Sequence, residues 1–241
     1  MTERNGRDAE FAHRVTAELE SVHSEEKKSV LPRFFKCGPG EYGEGDRFLG
    51  VVVPEVRKVA KRNTSATLSE IKGLLDSQWH EARLCALLIL VARCRKSVPK
   101  EVFDFYLANT GRINNWDLVD LTAPSIVGAY VRDTPEERKV LYSLAESKSL
   151  WDQRIAVVST LSLIRAGQFD ETYALAVKLL EHKHDLMHKA VGWMLREAGK
   201  RDRNRLELFL SEHAASMPRT MLRYSIEKFP EPLRRHYLNL R

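Results

Sequence analysis

Trp116 and Asp120 stand four residues apart directly after Asn114-Asn115, a spacing that puts both side chains on one face of a helix. Lys189 and Trp193 repeat that spacing further along, and Arg154 lies between the two pairs. A carboxylate in such a place stabilises developing positive charge or takes a proton from water, and the face of an indole attracts a cation. Taken singly, each residue has an ordinary structural role. Tryptophan usually fills a core, and an aspartate near a helix start often serves the helix dipole. As a set, two indoles, a carboxylate and a guanidinium point to a site, provided the helices that carry them line up.

The elements around them are helical. Thr67 with Glu70, and Thr134-Pro-Glu-Glu137, have capping-box spacing; Asp170, Pro99 and Pro218 stand near further helix starts. Leu84, Leu87, Leu88 and Val91 form one apolar stripe, and Leu175, Ala176, Leu179 and Leu180 another. Phe48–Val53 alone reads like a strand, and it has no partner strand. Similar segments recur around Arg83, Asp120, Arg154, Lys189 and Arg223, separated by 37, 34, 35 and 34 residues. A period of that length with two helices in it marks a helical solenoid. The expectation is an all-α chain, a single domain over 1–241, forming a curved α-solenoid of HEAT-like repeats. Its landmark positions would then present a row of cations with one acid, Asp120, among them.

Charge agrees with such a row. The 241 residues carry a net charge of +6, but residues 1–50 have 8 basic and 10 acidic groups, whereas residues 181–241 have 13 basic and 8 acidic. A basic region of this kind fits a polyanion, nucleic acid above all, or else a solvated helix surface. The longest apolar run, Leu84–Ala92, is too short to span a membrane, and the N-terminus lacks a signal peptide's apolar segment. Cys37, Cys85 and Cys94 show no CxxC spacing, so neither a disulfide framework nor a cysteine zinc site is expected. The expectation is a reduced, cytoplasmic monomer. His182, His184 and His188 could approach zinc geometry with Asp185, but solvated or phosphate-facing roles are preferred. The glycine-rich Gly38–Gly50 stretch lacks a phosphate loop's G-K-[ST] ending. No metal and no cofactor is expected.

Three segments together carry a resemblance: Asn115-Trp-Asp-Leu-Val-Asp120, Leu150-Trp-Asp-Gln-Arg154 and Lys189-Ala-Val-Gly-Trp-Met-Leu-Arg-Glu197. With Tyr42-Gly, Gly45-Asp, Phe48-Leu-Gly-Val51, Pro54 and Arg57 upstream, the chain resembles the DNA alkylation repair family, AlkD-like glycosylases built from HEAT-like repeats. The resemblance spans roughly residues 30–200. It implies hydrolysis of the N-glycosidic bond of cationic N3- or N7-alkylated purines in duplex DNA, without flipping the base into a pocket. It implies that Asp120 is the catalytic carboxylate, that Trp116 and Trp193 flank the lesion's sugar, and that Arg154 holds the DNA backbone. Arg83, Lys189, Arg196, Arg223 and Phe34 are further expected DNA contacts. Where a catalytic relative has a tyrosine near the lesion, this chain has Phe34 or Phe35. Two other readings stay open: a non-catalytic binder of branched or distorted DNA, and a protein-binding scaffold. The basic row disfavours the scaffold.

Overall fold

The computed structural model describes the backbone of residues 2–240 and the side chains of residues 6–240. They form an all-α, solenoid-like fold. The chain groups into two compact units, one ending at Thr122 and the other beginning at Ala123.

The first unit holds α1 (Thr2–Glu20), α2 (Glu25–Phe34), α3 (Val53–Arg62), α4 (Leu68–Leu75), α5 (His80–Arg93), α6 (Lys100–Ala108) and α7 (Trp116–Thr122). The sequence explains its centre. From His80 to Leu90 every side chain of α5 is buried, as befits a helix apolar nearly all round. It is covered by α3, α4 and α7. Thr67 and Glu70 form the expected capping box at the start of α4.

The second unit holds α8 (Ala129–Asp133), α9 (Lys139–Ala145), α10 (Leu150–Arg165), α11 (Asp170–Lys178), α12 (Asp185–Gly199), α13 (Arg203–His213), α14 (Arg219–Ser225) and α15 (Glu231–Asn239). Here α10 is the buried helix, covered by α9, α11 and α12. Gly192 shows how tightly the layers meet. A Cβ there would lie 2.5 Å from both the Met221 carbonyl oxygen and the Tyr224 Cβ on α14, so only glycine lets α12 and α14 approach this closely.

Every second helix stacks on the next: α3 on α5 and α5 on α7 in the first unit, α10 on α12 and α12 on α14 in the second. Arg83 lies on α5, Asp120 on α7, Arg154 on α10, Lys189 on α12 and Arg223 on α14. Within each unit the spacing of the landmark residues is therefore the spacing of the stacked helices: 37 residues from α5 to α7, and 35 and 34 residues from α10 through α12 to α14.

Two local expectations change. Thr134 does not cap a helix; its hydroxyl donates back to the Tyr130 carbonyl at 2.6 Å, and Pro135–Glu137 form one 3-10 turn. Phe48–Val53 forms no named strand among the described residues; its neighbour Arg47 makes one bridge to Trp79. The partner it needed is a side chain. The Glu81 carboxylate accepts the N–H groups of Leu49, Gly50 and Val51 at 2.9, 2.9 and 3.1 Å, which satisfies three buried donors at once. Gly50 supports that path with φ of +93° and a carbonyl that accepts the Ser24 N–H at 3.0 Å.

Candidate active site

In the first unit, Trp116 and Asp120 share one face of α7 and line a cavity of about 400 Å³. Both side chains are half-buried. The facing wall is aromatic. Phe35 stacks on Trp116 with ring centroids 5.4 Å apart, and Phe34 meets the same indole edge-on at 5.9 Å. Phe35 is buried, whereas Phe34 is 58% exposed at the cavity rim. Of the two phenylalanines that stand where a tyrosine was expected, Phe34 is the one a large ligand can touch. Val51, Val52 and Val53 from the segment pinned by Glu81, with Leu84, complete the apolar lining.

Behind this wall lies a buried ionic network that was not apparent in the sequence. His80 sits between two carboxylates, with Nδ1 3.0 Å from Asp46 and Nε2 2.8 Å from Asp117. Arg83 donates to the other Asp46 oxygen at 2.6 Å. The side chains of Asp46, His80 and Arg83 are all less than 5% exposed. Two cations and two anions balance, as buried charge must. The network also fixes the start of α7. Asn114 and Asn115 donate from Nδ2 to Asp46 at 3.2 and 3.4 Å, while Asn115 Oδ1 accepts the Trp116 N–H at 2.9 Å. Asp117 lines the cavity as well, and its Oδ1 has no partner among the described residues. It is a spare acceptor beside the aromatic wall.

Burial works against the protonated form of His80, but the hydrogen bonds to Asp117 and Asp46 and their charges outweigh it and raise its pKa to about 9. Burial likewise disfavours the charged form of Asp46, yet the hydrogen bond from His80 and the charge of Arg83 lower its pKa to about 2. These shifts set a pH window. The His80 proton stabilises the fold fully below about pH 6.5, and that contribution is lost as pH rises through about 9. We expect the wild-type melting temperature to fall between those values and the His80→Gln variant to lack this alkaline decline. A parallel decline in the variant would contradict the network. The contribution of Asp46 is present above about pH 4 and is lost as pH falls through about 2.

The expected row of DNA-facing cations needs one correction. Arg83 is turned inward, 3% exposed, with its guanidinium on Asp46 and the Ser77 and Gln78 carbonyls. A guanidinium so enclosed reaches no phosphate.

The second unit places its residues around α12. Trp193 is half-buried there. The buried Arg154 of α10 donates to the Leu186 carbonyl at 2.6 Å. Lys189 pairs with Asp185 at 2.8 Å. Arg196 pairs with Glu227 and, at 3.4 Å, with Glu197. Arg223 is exposed. The three histidines serve local structure. His184 Nδ1 accepts the Leu186 N–H at 3.1 Å and caps α12, His182 accepts the His184 N–H at 3.0 Å, and His188 bonds the His182 carbonyl. Among the described residues no three histidine, cysteine or acidic side chains group to hold a metal ion, and no helix is long and apolar enough to cross a membrane.

The class these features define is an all-α, solenoid-like protein with a half-buried carboxylate lining an aromatic cavity. Comparison supplies the family: residues 15–229 match the family described as DNA alkylation repair enzyme. The chain belongs to that family, which places it in DNA alkylation repair with DNA as the molecule acted on. A solved structure described as a predicted DNA alkylation repair enzyme from Enterococcus faecalis is similar over 87% of this chain and 97% of that one, at a TM-score of 0.72 and 17% identity. At that identity the likeness concerns the fold. No match is found among curated proteins.

Proposed function

We propose that the chain is a monofunctional DNA glycosylase that hydrolyses the N-glycosidic bond of cationic N3- or N7-alkylated purines in duplex DNA, leaving an abasic site. The observation that carries this reading is the placing of Asp120 beside Trp116 on α7, where both line the aromatic cavity. An alkylated purine already bears positive charge and departs as a neutral base, so no general acid is needed. Its departure takes the bonding electrons and leaves an oxocarbenium-like sugar, as in glycoside hydrolysis. Asp120 stabilises that cation and takes a proton from the water that attacks the sugar carbon. The electron-rich face of Trp116 adds about 0.5–2 kcal/mol of cation–π attraction. Phe34 at the rim offers a surface against which a base can stack.

In the same reading, Trp193 contacts the lesion's sugar, and Lys189, Arg196 and Arg223 contact the DNA from the second unit; Arg154, buried like Arg83, supports the start of α12 through the Leu186 carbonyl instead of reaching a phosphate. Lys189 acts as a phosphate contact rather than an imine-forming nucleophile, so the product strand stays intact. The protein works as a monomer and without a metal. The test is incubation of the protein with methylated duplex DNA, followed by separation of free bases and of strands. Free N7-methylguanine or N3-methyladenine with uncut strands supports the reading. Strand cleavage would reassign Lys189 to lyase chemistry, and binding without release would make the protein a non-catalytic binder.

A further inference from the structure

The groove between α3 and α5 does not end at the aromatic cavity. Val53 and Leu84 line the cavity; one turn further along each helix, Arg57 and Leu88 line a second cleft of about 260 Å³. Arg57, Ala60 and Lys61 of α3 face Leu88, Val91 and Ala92 of α5 across it, and Arg95, just beyond α5, closes its far end. At about 1.5 Å of rise per residue, Arg57 lies about 6 Å and Lys61 about 12 Å along α3 from Val53.

Arg57, Lys61 and Arg95 are exposed, and none has an acidic partner among the described residues. Their neighbours differ: Lys58 pairs with Glu55, Arg62 with Glu18, Arg93 with Glu101 and Lys72 with Asp76. No acidic side chain lines the cleft. Three uncompensated cations, two from α3 and one from the turn after α5, therefore converge on a neutral floor, in line with the carboxylate-bearing cavity.

We propose that this cleft is a phosphate track: Arg57, Lys61 and Arg95 hold successive phosphates of one DNA strand beside the nucleotide presented to Asp120. The proposal rests on DNA being the bound polyanion and not on base release. The spacing of about 6 Å between Arg57 and Lys61 is on the order of one phosphate step, because neighbouring phosphates on a winding strand lie further apart than their axial rise of roughly 3.4 Å. The track also supplies cations to the first unit, where the inward turn of Arg83 removes the one the repeat spacing had assigned.

The test is the salt dependence of binding to a short labelled undamaged duplex, for wild type and for the combined Arg57→Ala, Lys61→Ala and Arg95→Ala variant. Each phosphate contact contributes about 0.9 to the slope of log K against log salt. The expected result is a slope shallower by about 2–3 in the variant, restored by Arg57→Lys, Lys61→Arg and Arg95→Lys. All three side chains are exposed, and an unchanged melting curve shows that the variant is folded. An unchanged slope in a folded variant would overturn the track, even if wild type releases alkylated bases. A shallower slope supports it, even if no base is released and the glycosylase reading fails.

Discussion

Asp120→Asn is expected to lower the rate of alkylpurine release by a factor of about 10²–10⁴, the span a positioned base and charge stabiliser commands, while DNA affinity stays within a few-fold. The asymmetry follows from the chemistry. An asparagine keeps the shape and hydrogen-bonding reach of the carboxylate that lines the cavity, but it neither compensates an oxocarbenium-like sugar nor accepts a proton from water. The cations proposed to hold phosphates are elsewhere. Rate and affinity therefore separate: single-turnover release reports the first and titration of undamaged duplex the second. A structural role for Asp120 would instead lower thermal stability together with rate, so a melting curve completes the comparison.

The second large effect is on stability. Asp46→Ala is expected to cost about 3–5 kcal/mol, because it strands two cations in the interior rather than merely deleting a contact. Arg83 and His80, both less than 5% exposed, lose the carboxylate they share, and Asn114 and Asn115 lose the acceptor that ties the start of α7. At roughly 3 °C per kcal/mol, the melting temperature should drop by on the order of 10 °C. Asp46→Asn, which keeps acceptor and volume but not charge, should fall between the two. A drop of only a degree or two in Asp46→Ala would show that the network carries little of the fold's stability. Loss of activity in Asp46→Ala with stability preserved would make Asp46 a group of the site itself.

These two residues mark the boundary of what the chain discloses before folding. Trp116 and Asp120 were legible because their relation is local: four residues on a helix share a face whatever packs around it. The stacked helices were legible through the period that separates Arg83, Asp120, Arg154, Lys189 and Arg223. The direction each landmark points was not. Arg83 occupies a surface-like position in the repeat spacing, yet Asp46, 37 residues earlier, draws it inward. Asp46, His80 and Asp117 are 34 and 37 residues apart, and only folding makes them neighbours. Their separations equal one repeat each, and that was the signal available: ionisable residues recurring at the repeat period are candidates for contact across the stack. Phe48–Val53 was misleading for a related reason. An extended segment normally implies a partner strand, and here Glu81 on α5 supplies the acceptors.

The cavity followed from neither periodicity nor charge. Phe34, Phe35 and Phe48 come from the end of α2 and the loop after it, whose path depends on the φ of Gly50 and on the Glu81 carboxylate. Only when that loop closes on α7 does Trp116 acquire aromatic neighbours.

The central claim is that Asp120, lining this cavity, drives hydrolysis of a cationic nucleotide. The most direct test is quantitation of free N7-methylguanine and N3-methyladenine from methylated duplex DNA under single-turnover conditions, with wild type and Asp120→Asn side by side. The account predicts release by wild type that tracks protein concentration and falls by orders of magnitude in the variant. Equal release by both proteins, or none by a wild type that binds the duplex, would contradict it.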